Sequence, residues 1–386
     1  MSQLAVYFHI PFCRRRCRYC GFTSFEGKES LIGDYVRAVE TEMSLRSVSG
    51  AAQSVYFGGG TPSLLKPEDI GTLLKTTREY NRFAPDIEIT LEINPGTVNY
   101  EYLKALNENG VNRLSIGMQS LLESDLIYLG RTHSAREARR ALENARSADF
   151  ANINLDFIIG VPGRSLNDWR EILRDALNLE PEHLSLYPLS IEEGTPLKRA
   201  IEAGDAVPPD ADAAADEYET AEFMLAEAGY RHYEIANWAK PGFESRHNLA
   251  YWQGTEYIGY GVAAHSYLKN RRTANTCQLG SYLEALNAGQ LPLLEVDEII
   301  DEMLAQSEAI ILNLRLADGV SLDDIWCRFG IDLLAAYAQD LAELEEAALV
   351  EVRDRRLKLT ARGRLLANEV FLRFLPDNHD RPATYS

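Results

Sequence analysis

Short apolar runs and amphipathic stretches take turns from residue 4 to residue 190, and this rhythm leaves the chain few folds. The runs at 4–8, 54–58, 88–94, 113–119, 152–160 and 183–190 read as six strands. Stretches 31–45, 67–80, 100–109, 134–148 and 165–179 read as helices between them; in the first, Leu31, Tyr35, Val39 and Met43 recur near helical spacing. Ser134 stands three before Glu137, the spacing of a capping box, and Pro67 sits where a helix would start. Strands alternating with helices imply a parallel sheet with right-handed crossovers. Six strands fall short of an eight-fold barrel, so a partial barrel and an open doubly wound sheet both fit. In either, chemistry collects at the C-terminal ends of the strands.

The unusual residues fall at those ends. After the first run comes Tyr7-Phe8-His9-Ile10-Pro11-Phe12-Cys13-Arg14-Arg15-Arg16-Cys17-Arg18-Tyr19-Cys20. Thiolates select zinc, copper(I) or iron–sulfur clusters. Four protein ligands are usual for zinc and for ordinary clusters, yet Cys277 and Cys327 lie far along the chain. Three thiolates would leave one iron of a 4Fe-4S cluster open to an exchangeable ligand; the plainer alternative is a zinc site completed by a His. Arg14, Arg15, Arg16 and Arg18 are expected to favour the thiolates. The second run ends in Gly58-Gly59-Gly60-Thr61-Pro62, where a backbone can approach a ligand closely and offer N–H donors. No Gly-Lys-Ser/Thr follows, so this is not a nucleoside-triphosphate loop. Glu92, Gln119 and Asp156 are polar residues in mostly apolar strands, and each would be costly to bury unpaired. Together they suggest a shared ligand pocket.

The 386 residues allow two or more domains. A net charge of −19 argues against general affinity for nucleic acid. No apolar run is long enough to span a bilayer, and the start lacks a signal-like pattern, so the cytoplasm is the expected compartment. Five cysteines, three of them clustered, do not resemble a disulfide framework; Cys277 and Cys327 read as buried apolar thiols.

After Ser190 the rhythm stops. Aromatic and His residues then concentrate in Tyr233-Glu234-Ile235-Ala236-Asn237-Trp238, in Arg246-His247-Asn248-Leu249-Ala250-Tyr251-Trp252 and in Ile258-Gly259-Tyr260-Gly261-Val262-Ala263-Ala264-His265-Ser266-Tyr267. Imidazoles beside Trp and Tyr suit a flat macrocycle with a metal to ligate; the plain alternative is a β-rich core whose histidines are hydrogen-bonded. Gly259-Tyr260-Gly261 is only part of a dinucleotide fingerprint and lacks its βαβ setting. From about residue 298 the pattern is helical, with a hairpin expected around Arg353-Asp354-Arg355-Arg356: a small winged-helix-like domain. Such domains often bind DNA, but a fold does not fix a function, and the acidity argues against it here. Expected domains are 1–190, 191–290 and 291–386, making an α/β protein with an α+β extension.

The cysteine loop, the Tyr-x-His-Ile-Pro-Phe-Cys lead-in, Gly-Gly-Gly-Thr-Pro, residues 113–120, Leu129-Gly130-Arg131 and residues 153–160 resemble the radical S-adenosylmethionine superfamily, in particular its oxygen-independent coproporphyrinogen oxidase subgroup. The resemblance implies a partial (β/α)6 barrel. It implies that Cys13, Cys17 and Cys20 bind three irons of a 4Fe-4S cluster, with S-adenosylmethionine chelating the fourth, and that an electron from the cluster would release a 5′-deoxyadenosyl radical. Tyr7, Gly59, Gly60, Thr61, Glu92, Gln119, Arg131 and Asp156 match the positions where this family contacts S-adenosylmethionine. The H-N-x-x-Y-W block at His247–Trp252 resembles the segment marking HemW-type heme chaperones, which makes His247 the heme candidate. Phe22, where the oxidases carry a further Cys, and a first strand within five residues of Met1 point the same way. The glycine-rich block usually reads Gly-x-Gly-Ala-Gly-Ala-His-Ser in that family; here one glycine is lost. The resemblance implies a carrier that passes heme to an acceptor protein, without oxidase activity, and it is compatible with a membrane-associated acceptor and with a homodimer. The alternatives are a working coproporphyrinogen III oxidase and a related radical enzyme acting on heme.

Overall fold

A computed structural model describes residues 3–376. It divides into two compact units. The first runs through residue 297, apart from 233–235 and 251–254, which belong with the second.

In the first unit the expected strands form as β1 (Gln3–Ile10), β2 (Ala51–Gly59), β3 (Arg82–Ile93), β4 (Arg113–Gln119), β5 (Ile153–Ile159) and β6 (His183–Pro188). They pair in parallel in that order. A seventh parallel strand, β7 (Tyr257–Tyr260), joins the outer side of β1, so part of the aromatic block after Ser190 extends the sheet. Antiparallel strands flank both ends, Asn237–Ala239 beside β6 and His265–Leu268 beside β7, and the strand order is linear, as in a partial barrel. Strand β3 begins earlier than its alternation predicts. Its partner register jumps from Phe83 to Glu88 across Pro85, which cannot donate to a ladder.

The helices follow their local signals. Ser134 and Glu137 form the expected capping box, and Ser165 with Asp168 forms another. Pro67 opens the helix Pro67–Tyr80. The helix Glu123–Leu129, which periodicity did not show, is short and stops at Gly130 in the left-handed conformation.

The second unit holds Glu302–Leu314, Leu322–Phe329, Ala338–Glu346 and the hairpin Val350–Arg353 with Arg356–Leu359. Val320–Ser321 adds a third strand, and Ile310, Ile325, Leu344, Leu357 and Phe374 pack its core. This is the winged-helix-like arrangement. Its expected last helix is two short ones, Ala361–Leu365 and Ala367–Leu372. The two lone cysteines are not buried as expected: Cys327 is exposed and Cys277 half-buried.

The missing glycine of the 259–266 block has a location. Ala263 has φ +55°, a left-handed backbone that glycine adopts freely and alanine does not.

Candidate functional site

Period-two alternation gives the central strands two chemically opposite faces. On one lie Val6, Phe8, Val55, Phe57, Ile89, Leu91, Leu114, Ile116, Leu155, Phe157, Leu184 and Leu186, all buried. On the other lie Tyr7, His9, Ser54, Tyr56, Gly58, Glu88, Thr90, Glu92, Arg113, Ser115, Asn154, Asp156, His183 and Ser185. Barrel interiors are ordinarily filled with branched apolar side chains, so a polar inner face is the first sign of a ligand. Sequence reasoning singled out Glu92 and Asp156 from this set, with Tyr7 added by the family resemblance, and the same alternation, read across all six strands, would have shown the rest.

The inner face has two levels. At the C-terminal rim Tyr7, Tyr56, Glu92, Gln119, Arg131 and Asp156 are half-buried, so solvent reaches them. Glu92 accepts from Tyr56 Oη at 2.8 Å and from the Gly59 N–H at 3.2 Å. Burial, with the Asp156 charge nearby, pushes its carboxyl up to about 7 against the pull of the Tyr56 hydrogen bond. Asp156 accepts from Ser115 Oγ at 2.9 Å and Asn154 Nδ2 at 2.8 Å, and burial raises its carboxyl too. A carboxylate has about four acceptor sites, so both keep capacity for ribose hydroxyls or an ammonium. The glycines differ from expectation. The Gly59 N–H is taken by Glu92 and the Gly60 N–H by the Ile10 carbonyl at 2.9 Å, so neither is a spare donor. What the glycines supply is space. A Cβ on Gly60 would stand 2.7 Å from the Phe12 carbonyl and 3.0 Å from Cys13 Sγ; one on Gly59, at φ +114°, would stand 2.7 Å from the His9 ring.

The cysteine loop is fastened to this rim. Cys13 ends a two-residue ladder with Phe25–Glu26, and Thr61 Oγ1 lies 3.5 Å from its sulfur. His9 Nε2 meets the Thr23 carbonyl at 2.8 Å; the carbonyl can only accept, so Nδ1 is left to accept from Tyr7 Oη at 3.1 Å. Arg131 Nη1 reaches Cys17 Sγ at 3.3 Å, while Nη2 donates to Asn94 Oδ1 and to the Gly117 carbonyl at 3.0 Å. Asn94 also donates to Thr61 Oγ1 at 3.1 Å, and Gly117 has no side chain to obstruct Arg131. Asn94, Gly117 and Tyr56 are thus site residues that the sequence reading passed over. Gln119 ends β4 in the left-handed region, φ +65°.

The arginines of the loop act differently from expectation. Burial pushes the Cys13 and Cys20 thiols up and outweighs the nearby positive charge. Arg14 and Arg15 are exposed, Arg18 donates to the Tyr128 carbonyl at 3.3 Å, and the cation set against Cys17 is Arg131. Among the described residues no three of His, Cys, Asp or Glu could hold a single metal ion. A four-iron cluster does not need that convergence, since each thiolate takes its own iron. The rim otherwise suits a cluster with a small polar ligand: three thiols in one loop, a glycine cradle against Cys13, and Arg131 Nε buried with no hydrogen-bond partner.

The lower level is sealed. Ser54, Glu88, Arg113, Asn154, His183 and His247 are all buried. The segment at Ser245–His247 closes it: the Arg246 and His247 backbone N–H groups donate to Glu88 at 3.0 and 3.1 Å, and Arg113 pairs with the same carboxylate at 3.9 Å. His247 Nδ1 lies 2.9 Å from Ser54 Oγ, and its ring stacks on Tyr56 at 4.9 Å. Burial, with Arg113 nearby, pushes this imidazole down to about 3, so it is neutral. The structure therefore places the heme candidate inside the barrel, separate from the rim residues but joined to them through Tyr56.

A family model described as the radical SAM superfamily matches residues 7–176, and one described as the HemN C-terminal domain matches 305–366. A protein of Bacillus subtilis named heme chaperone HemW is 33% identical over 96% of this chain and 99% of its own length. One of the same name from Mycobacterium tuberculosis is 36% identical over 96% and 94%. The bovine mitochondrial radical S-adenosyl methionine domain-containing protein 1 is 33% identical over 97% and 88%. The solved structure of coproporphyrinogen III oxidase (HemN) from Escherichia coli superposes with a TM-score of 0.83 at 24% identity, covering 97% of this chain and 90% of that one, which speaks for a common fold. This chain belongs to the radical SAM superfamily and, within it, to the family of the heme chaperones HemW.

Proposed function

We propose that this chain is a heme carrier: it binds heme and passes it to an acceptor protein, and it does not oxidise coproporphyrinogen. The near full-length match to proteins named heme chaperone carries the reading. Phe22 adds to it, standing 68% exposed where the related oxidases have a further Cys. In this proposal Cys13, Cys17 and Cys20 hold a 4Fe-4S cluster. Tyr7, Gly59, Gly60, Thr61, Glu92, Gln119, Arg131 and Asp156 surround an exchangeable S-adenosylmethionine. The cluster, when bound, supplies one-electron chemistry. The chain's own residues do the positioning: Arg131 sets one cation against Cys17 and keeps donors for a carboxylate, while Glu92 and Asp156 offer acceptors to hydroxyl or ammonium groups.

The cytoplasm is the proposed compartment; no helix among the described residues is long and apolar enough to cross a membrane. The acceptor, at a membrane or elsewhere, and a second copy of this chain are the proposed protein partners. His247 enters as the heme ligand proposed from its sequence block. To ligate, its ring must leave Ser54 and Tyr56.

The deciding experiment reconstitutes the protein anaerobically and adds S-adenosylmethionine and a reductant, with coproporphyrinogen III in one sample and heme in another. About four irons per chain, a shifted heme absorption band and no protoporphyrinogen are expected. Catalytic formation of protoporphyrinogen would overturn the carrier reading in favour of the oxidase. Unchanged heme affinity in His247→Ala would remove His247 as the ligand.

A further inference from the structure

Asn94 stands outside the residues proposed to surround S-adenosylmethionine, yet its side chain joins the two groups that reach cysteine sulfurs. Its backbone is held first. The Asn94 N–H donates to Ser63 Oγ at 3.2 Å, and its carbonyl accepts from Thr97 Oγ1 at 2.7 Å and from the Thr97 N–H at 2.9 Å. The partners then fix which end of the amide points where. Arg131 can only donate, so Oδ1 faces its Nη2, and Nδ2 is left to donate to Thr61 Oγ1 at 3.1 Å. That hydroxyl, having accepted from Asn94, directs its one proton to Cys13 Sγ at 3.5 Å. On the other side Arg131 Nη1 stands 3.3 Å from Cys17 Sγ. One amide therefore aims an O–H at one thiol and an N–H at another, across residues from five separate parts of the chain.

Hydrogen bonds to the sulfurs help to set the potential of an iron–sulfur cluster. They favour the reduced form, which carries one more negative charge, and a charged donor such as Arg131 does so most. Resting on the proposed 4Fe-4S cluster, we infer that Asn94 is a positioning residue that raises the cluster's reduction potential by holding Thr61 towards Cys13 and Arg131 towards Cys17. It touches neither sulfur itself; it acts through the two donors.

The test reconstitutes wild type, Asn94→Leu, Thr61→Val, Thr61→Ser and the double variant Asn94→Leu/Thr61→Val. Potentiometry followed by the EPR signal of the reduced cluster reads the midpoint potential, with iron per chain as the control. Asn94→Leu should shift the equilibrium about tenfold towards the oxidised form, a fall of about 59 mV for one electron. Thr61→Val should fall by less, and Thr61→Ser, which keeps the hydroxyl, should hold the wild-type potential. The double variant should fall no further than Asn94→Leu, because the Thr61 contact is already lost there. An unchanged potential in Asn94→Leu at full iron content overturns the inference, and so does a double-variant fall equal to the sum of the two single ones. If Asn94→Leu takes up no iron, the Thr61 pair decides: a lower potential in Thr61→Val alone upholds the donor at Cys13, and equal potentials in Thr61→Val and Thr61→Ser overturn it. If wild type takes up no iron, the cluster reading itself has failed.

Discussion

The rim and the floor of the barrel are built from the same strands and do opposite work. Tyr56 and Ser54 are two residues apart on β2, and Glu92 and Glu88 four apart on β3, so each pair shares the inner face. At the rim the side chains are half-buried, keep unused acceptors and donors, and stand among glycines and cysteines. At the floor they are buried and engaged with one another and with the Ser245–His247 segment. One carboxylate shows the contrast well. Glu88 is matched by two backbone N–H groups and Arg113, whereas Glu92 has one hydroxyl, one N–H and Asp156 as a repelling neighbour. A polar inner face is therefore not one site. Its floor is sealed and braced by Glu88 across the Ser245–His247 segment, although Arg113 Nε and Thr90 Oγ1 there have no hydrogen-bond partner, and its solvent-reached rim is where a ligand belongs.

The strongest way to break this division is at the cysteines. Cys17→Ala should reduce reconstituted iron from about four per chain to near none while hydrogen exchange at the floor stays slow; loss of floor protection would join the two levels. Next in size, Glu88→Ala should destabilise the first unit by about 3–5 kcal/mol, because Arg113 and the start of the Ser245–His247 segment lose their counter-charge in a buried setting. Denaturant unfolding measures it, and near-normal stability would show the floor to be no support. Gly59→Ala should cost about 1–3 kcal/mol, through positive φ and the His9 ring, and should lower cluster occupancy in the protein that folds.

The pH dependence separates the two levels by sign. Glu92 titrates at about 7 in the fold against an ordinary 4.5, so the folded state holds the extra proton; its stabilising effect is complete below about 4.5 and is lost as pH rises toward 7. His247 titrates at about 3 against 6.5, so the unfolded state holds the extra proton; stability is lost as pH falls from 6.5 toward 3. Glu92→Gln should flatten the first slope and His247→Gln the second, read from unfolding midpoints across pH. Matching slopes in both variants would contradict the assignment. The smallest effect expected is a gain: Ala263→Gly relieves a left-handed alanine by about 1 kcal/mol, visible as a raised melting temperature with iron content unchanged.

Much of this was readable in the chain. The βα rhythm, the thiol spacing, the capping boxes and the glycine run are local signals, because periodicity, caps and turn chemistry act over a few residues. They determined the parallel sheet and placed Cys13, Cys17, Cys20, Gly59 and Gly60 at strand ends. Even the alanine at 263, where the related block carries a glycine, was legible as a departure, since only backbone conformation is at stake there. Tertiary structure decided what depends on residues far apart in sequence: that β7 joins β1, that Arg131 and not the neighbouring arginines faces Cys17, that Glu92 accepts from the Gly59 N–H, and that His247 is sealed against Ser54 and Glu88. Burial and pairing across 114 or 193 positions are set by how the sheet curves, and no local pattern records them.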